Sequence, residues 1–170
     1  MQPSRRTLAL ALAAGALALA GAAGAGSELR TTAPDFSLPL RGGAAVGLAD
    51  LRGQVVMINF WASWCGPCRQ EFPVLDAMYR KYKPMGFTLL AINVEGERED
   101  AERFLASTPV SFPVAWDSDN KVSGAYGVSA MPTTLIVDRK GQVRWMHRSY
   151  RPGDENEYLD RVRALLKETP

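Results

Sequence analysis

Cys65 and Cys68 are the only cysteines in a chain of 170 residues. They stand in the segment Trp64-Cys65-Gly66-Pro67-Cys68, a spacing that serves two chemistries. Such a pair can cycle between dithiol and disulfide, or it can be half of a zinc site. Zinc normally takes four ligands, and the chain holds a single histidine, His147, as a further nitrogen donor. A purely structural bridge is a poor account as well. Cysteines this close in sequence close almost no loop and restrict the unfolded chain little. Redox cycling is the reading for which all the parts are present.

The elements on either side suit that reading. Residues 54–61 (QVVMINFW) form a β-branched and aromatic run that predicts a central strand buried on both faces. From residue 66 to about 83 the spacing of Phe72, Leu75, Met78, Tyr79 and Tyr82 predicts a helix, with Pro73 expected to kink it. The pair therefore falls where a strand ends and a helix begins. Unpaired N–H groups and the positive end of the helix dipole favour a thiolate at Cys65. Pro67 suits the first turn, where a missing N–H costs little. Cys68 lies on the same helical face as Cys65, so its sulfur can return to resolve a mixed disulfide. Glu71 stands three residues further along that face. A carboxylate there disfavours a thiolate and can shuttle its proton, although a solvated helix glutamate would look the same in sequence.

The other elements follow from their periodicity. Residues 27–40 read as an extended lead-in, and Arg41-Gly42-Gly43 as the turn of a hairpin. Residues 87–94 predict a second buried strand, and 97–107 an exposed helix with Phe104 and Leu105 turned inward. A short strand over 112–116 and a helical turn over 121–126 come next. Strands over 132–138 and 142–147 are joined by Arg139-Lys140-Gly141. Asp154 is positioned to cap a last helix bearing Tyr158, Leu159, Val162, Leu165 and Leu166. Strand–helix alternation followed by a hairpin predicts an α/β fold with a mixed central sheet flanked by helices.

The first stretch is read as targeting material. Arg5 and Arg6 precede an apolar run over residues 8–20, and small residues follow at 20–25. That order predicts a signal peptide over residues 1–25, exported by the Sec route or, given Ser4-Arg5-Arg6, the twin-arginine route. The domain proper is expected over 27–170, in a periplasmic or other extracytoplasmic setting, with membrane attachment only if the signal is uncleaved. All 18 acidic residues follow Ser27, whereas two of the 20 basic ones, Arg5 and Arg6, precede it. The segment after the signal is thus near neutral, and no basic tract supports nucleic-acid binding.

Residues 59–73 (NFWASWCGPCRQEFP) closely resemble the active-site segment of the TlpA/ResA-like thiol–disulfide oxidoreductases, within the thioredoxin-like superfamily and its AhpC/TSA-redoxin relatives. The similarity continues from Ala33-Pro34-Asp35-Phe36 through Met131-Pro132-Thr133-Thr134 to the final helix. It implies a thioredoxin-like fold with an N-terminal hairpin and a central helix–strand insertion between Val94 and Met131. It implies that Cys65 and Cys68 form the redox-active disulfide, with Glu71 as a catalytic acid–base group. Minimal thioredoxins carry an aspartate at the position of Asn59, so the acid shifts here from strand to helix. The bond preceding Pro132 is expected to be cis, and Trp64, Met131, Pro132 and Thr133 to form the substrate face. No cofactor and no metal are implied. The implied partners are oxidised exported proteins as substrates, with cytochrome c maturation or copper-site assembly as settings, and a membrane thiol carrier of the CcdA or DsbD type as electron donor.

Two other functions use some of the same residues. A copper chaperone would employ Cys65, Cys68 and His147, since soft thiolates select Cu(I). A peroxiredoxin-like peroxidase shares the Ala33-Pro34-Asp35-Phe36 opening, but is expected to carry Thr-x-x-Cys where this chain has Ser63-Trp64-Cys65. Trp61 is expected in the core, and Arg69 at the rim of the site. Glu95, Glu97, Glu99 and Asp100 form an acidic cluster that reads as a solvated helix face or a determinant of partner choice.

Overall fold

The computed structural model describes residues 27–169. The signal segment expected over residues 1–25 lies outside the described residues. In chain order the elements are β1 (Ser27–Thr32), β2 (Ser37–Pro39), β3 (Ala45–Gly47), β4 (Val55–Trp61), α1 (Gly66–Tyr82), β5 (Phe87–Asn93) and α2 (Glu99–Ser107). They continue as β6 (Val114–Trp116), α3 (Lys121–Ala125), β7 (Thr133–Val137), β8 (Gln142–Arg148) and α4 (Glu155–Lys167).

Strand β4 is the centre of the molecule, and every one of its residues is buried. It pairs in parallel with β5 and antiparallel with β7. The full sheet runs β1-β8-β7-β4-β5-β6, with β1 antiparallel to β8 at one edge and β6 parallel to β5 at the other. Side chains alternate across a strand, so β4 feeds two cores. Val55, Met57 and Trp61 face a core shared with α1, α2 and α4, where Trp61, Phe72 and Phe104 meet with ring centroids 4.7–5.6 Å apart. Val56, Ile58 and Phe60 face the opposite core. The hairpin β2–β3 covers that side through Phe36, Leu38 and Val46, together with Tyr126 from the end of α3. The mixed sheet, the N-terminal hairpin and the inserted α2–β6 unit match the architecture expected from the sequence.

Several local expectations need adjustment. The lead-in is not merely extended, because residues 27–32 form the edge strand β1 on β8. Helix α1 continues unbroken through Pro73, whose ring lies on the exposed side. Asp154 immediately precedes α4 but makes no side-chain cap to it. Its carboxylate instead accepts from the Arg151 amide at 2.8 Å and contacts His147 Nε2 at 3.1 Å. The β7–β8 turn closes as expected, with the Gly141 amide donating to the Asp138 carbonyl at 2.9 Å and Gly141 at φ 80°. Only a glycine takes that left-handed conformation without strain.

Candidate active site

The end of β4 and the start of α1 hold the two cysteines. Cys65 sits at the N-cap in an extended conformation, and its Sγ accepts the Cys68 amide N–H at 3.2 Å. A sulfur that receives a helix N-terminal N–H, and lies at the positive end of the dipole, is stabilised when it carries charge. The two sulfurs are joined in a disulfide. Cys68 is fully buried on α1 and Cys65 is slightly exposed. The pair therefore offers one approachable sulfur and one sheltered behind it.

Beside this turn β7 begins. Its ladder with β4 pairs Thr133 with Phe60 and Thr134 with Asn59, which brings Pro132 next to the strand end from which the cysteine turn departs. The Met131–Pro132 bond is cis. Met131 is half-buried, while Pro132 and Thr133 are buried. The Thr133 hydroxyl donates to the Ala130 carbonyl at 2.7 Å, so its side chain closes a turn rather than facing outward. Trp64, by contrast, is 70% exposed at the tip of the cysteine turn. It borders a shallow groove of about 430 Å³ whose far wall is Phe104 of α2, with the Arg69 guanidinium 5.1 Å above that ring. Trp61 is wholly in the core.

Glu71 is fully buried, which removes the solvated-helix alternative. Asn59 Nδ2 bridges Glu71 Oε2 at 3.0 Å and Thr134 Oγ1 at 2.9 Å, and the Thr134 hydroxyl faces Glu71 Oε1 at 3.5 Å. The Tyr158 hydroxyl, from α4, stands against the same carboxylate without a well-formed hydrogen bond. Burial pushes the Glu71 pKa up to about 7, and the polar contacts with Tyr158, Asn59 and Thr134 only partly oppose it. Asp154, also negative, adds to the rise. Glu71 is thus an acid that changes protonation near neutral pH inside the core, one turn past Cys68. Asn59, Thr134 and Tyr158 were not recognisable as its partners from the sequence. The one available signal was an asparagine at the middle of an otherwise apolar strand.

His147 lies on β8, opposite Thr134 in the β7–β8 register. It is buried, stacked on Trp145 at 5.4 Å, and held by Asp154. Among the described residues no three His, Cys, Asp or Glu side chains are placed to hold a metal ion, so Cys65, Cys68 and His147 do not converge. The acidic cluster also divides. Glu99 and Asp100 are exposed and pair with Arg103, whereas Glu95 bonds to the cysteine turn itself.

A six-stranded mixed sheet carrying a disulfide at a helix N-cap beside a cis-proline defines the thioredoxin-like class. Residues 29–146 match the AhpC/TSA family, and the chain belongs to it. Within that family its sequence is ResA-like. It is 40% identical over 111 residues to the thiol-disulfide oxidoreductase ResA of Bacillus subtilis, covering 65% of this chain and 62% of that one. It is 39% identical over 114 residues to ResA of Geobacillus thermodenitrificans, covering 67% and 66%. The chain spans just under two thirds of the length of these relatives. Among solved structures, a Chlorobium tepidum protein provisionally assigned as thiol:disulfide interchange protein DsbE superimposes with a TM-score of 0.79 at 43% identity, covering 82% of this chain and 98% of that one. A secreted thiol-disulfide isomerase from Corynebacterium glutamicum gives 0.71 at 27% identity, covering 79% and 85%.

Proposed function

We propose that the protein is an exported thiol–disulfide oxidoreductase that reduces disulfides in extracytoplasmic proteins. The observation that carries this reading is the approachable Cys65 sulfur at a helix N-cap, backed by the buried Cys68 and by Glu71 one turn beyond it. In the reduced protein the Cys65 thiolate attacks one sulfur of a substrate disulfide. A mixed disulfide forms, and the substrate's other sulfur leaves as a thiolate. Cys68 then loses its proton and attacks Cys65 Sγ, releasing the second substrate thiolate and leaving the disulfide seen here. Glu71, ionisable near neutral pH, is the group suited to take that proton.

Each turnover consumes two electrons, and an oxidising compartment does not supply them. A membrane thiol carrier of the CcdA or DsbD type fits as the donor. The secreted thiol-disulfide isomerase among the similar structures and the basic–apolar–small order of residues 1–25 support the exported setting. Cytochrome c maturation and copper-site assembly are the processes in which such a reductase is needed. The copper-chaperone reading has no observation in its favour, since its three ligands do not meet.

Equilibration of the Cys65/Cys68 pair against glutathione or a thioredoxin tests the direction. The expected potential lies nearer the thioredoxin value of about −270 mV than the DsbA value of about −120 mV, and a value at the DsbA end overturns the reductase reading. Cys68→Ala, which cannot resolve the mixed disulfide, is expected to retain substrate proteins on Cys65 that mass spectrometry can name.

A further inference from the structure

Glu95 follows the last residues of β5, and its carboxylate is directed at the turn that presents Cys65. The strands explain why. Trp61 and Asn93 are the last paired residues of β4 and β5, and the Val94 amide donates to the Trp61 carbonyl at 3.1 Å. Ser63 and Glu95 therefore each emerge two residues past the end of one ladder, side by side. Glu95 Oε2 accepts the Ser63 backbone N–H at 2.7 Å, and Oε1 accepts the Ser63 hydroxyl at 2.7 Å. The buried Asn93 aims the carboxylate, donating from Nδ2 to Oε2 at 2.8 Å and accepting the Glu95 N–H on Oδ1 at 3.0 Å. Glu95 makes no ion pair among the described residues, so hydrogen-bond donors rather than a cation hold it.

Ser63 is the second residue of the turn closed by the Cys65 amide on the Ala62 carbonyl at 3.2 Å. Trp64 is the third, and nothing buries it. Ala62, Ser63 and Cys65 are buried and only the Trp64 side chain projects, so how that ring is presented depends on how Ser63 beside it is held. Here the hold is the two-point grip on Ser63. We propose that Glu95 is a positioning residue that fixes the Ser63–Trp64 turn, so that the Trp64 ring forms a preset platform for polypeptide disulfides approaching Cys65. This rests on the reading of oxidised polypeptides as substrates. A preset aromatic platform lowers the ordering cost of docking, and a small disulfide that reaches Cys65 without touching Trp64 gains nothing from it.

The clamp depends on acceptor geometry rather than on charge, and glutamine can reproduce it. Its oxygen can accept the Ser63 and Asn93 N–H groups in place of Oε2, while its amide donates to the Ser63 oxygen. Glu95→Ala is expected to lower kcat/KM for an oxidised protein substrate about tenfold, mainly through KM, with a small aliphatic disulfide reduced at an unchanged rate. Glu95→Gln is expected to retain the parent values. Trp61, Trp116 and Trp145 are buried, so iodide-quenchable emission reports Trp64 alone, and its anisotropy is expected to fall in Glu95→Ala. Ser63→Ala, which removes only the hydroxyl contact, is expected to fall between, and serves if Glu95→Ala does not fold. Three results overturn the proposal: unchanged protein-substrate kinetics, equal loss on both substrates, or Glu95→Gln as impaired as Glu95→Ala. If the parent protein reduces the small disulfide but no protein disulfide, the substrate reading fails, while Trp64 anisotropy still tests the clamp.

Discussion

Cys65→Ser is expected to lower turnover of a protein disulfide by at least about 10³-fold, whereas Cys68→Ser is expected to complete one half-reaction and stop. The asymmetry comes from the N-cap. Cys65 Sγ receives the Cys68 amide N–H and lies at the positive end of α1, while Cys68 is fully buried behind it. Only Cys65 combines a stabilised thiolate with access to a partner. A rapid-quench single turnover with Cys68→Ser should therefore show stoichiometric mixed disulfide on Cys65 at close to the parent rate. With Cys65→Ser no adduct should form on Cys68 over the same time. Alkylation of the reduced parent protein should follow the same order, with Cys65 modified first and Cys68 protected until the fold opens. Equal adduct formation by both variants would sink this division of labour.

The cysteine turn was legible because its chemistry is local. A buried strand, a helix start, a proline in the first turn and two thiols three positions apart are all visible in residues 54–72. The central strands were legible for a related reason. β4 and β5 are wholly buried, and uninterrupted apolar runs record that directly. What escaped was set by strand register and helix docking. Thr134 reaches Glu71 because β7 pairs it with Asn59, and Tyr158 reaches Glu71 because α4 packs against the same face as α1. Neither relation leaves a mark in nearby sequence. For Glu95 only the solvated-helix alternative fails, and for the opposite reason. Its acidic neighbours Glu97, Glu99 and Asp100 are exposed, and sequence composition gave it their solvated character. The parallel β4–β5 register, not the composition of its segment, directs it at Ser63. Asp154 shows the limit of motif reading at a helix end. It occupies the expected position, yet its carboxylate serves His147 and the Arg151 amide.

Glu71→Gln is expected to make the oxidised protein's stability far less dependent on pH between about 4.5 and 7. In the unfolded chain Glu71 ionises at 4.5, and in the fold burial raises this to about 7. Between those values the folded state holds a proton that the unfolded state has released. Stability therefore falls as pH rises across the window, being fully retained below the unfolded value and lost as pH passes the folded one. A rise from 4.5 to about 7, at roughly 1.4 kcal/mol per unit, corresponds to about 3 kcal/mol. Glutamine mimics the protonated acid, since its oxygen can accept Asn59 Nδ2 and its amide can face Thr134 Oγ1. Urea unfolding of the two proteins from pH 4 to 8 should then give a difference that grows through the window in favour of Glu71→Gln. Parallel curves would show that Glu71 carries no raised pKa. The same substitution removes the group proposed to accept the Cys68 proton, so it should slow release of the mixed disulfide without slowing its formation. A variant that gains stability at neutral pH while losing only the second half-reaction identifies Glu71 as an acid kept in the core, at a cost in stability, for its proton chemistry.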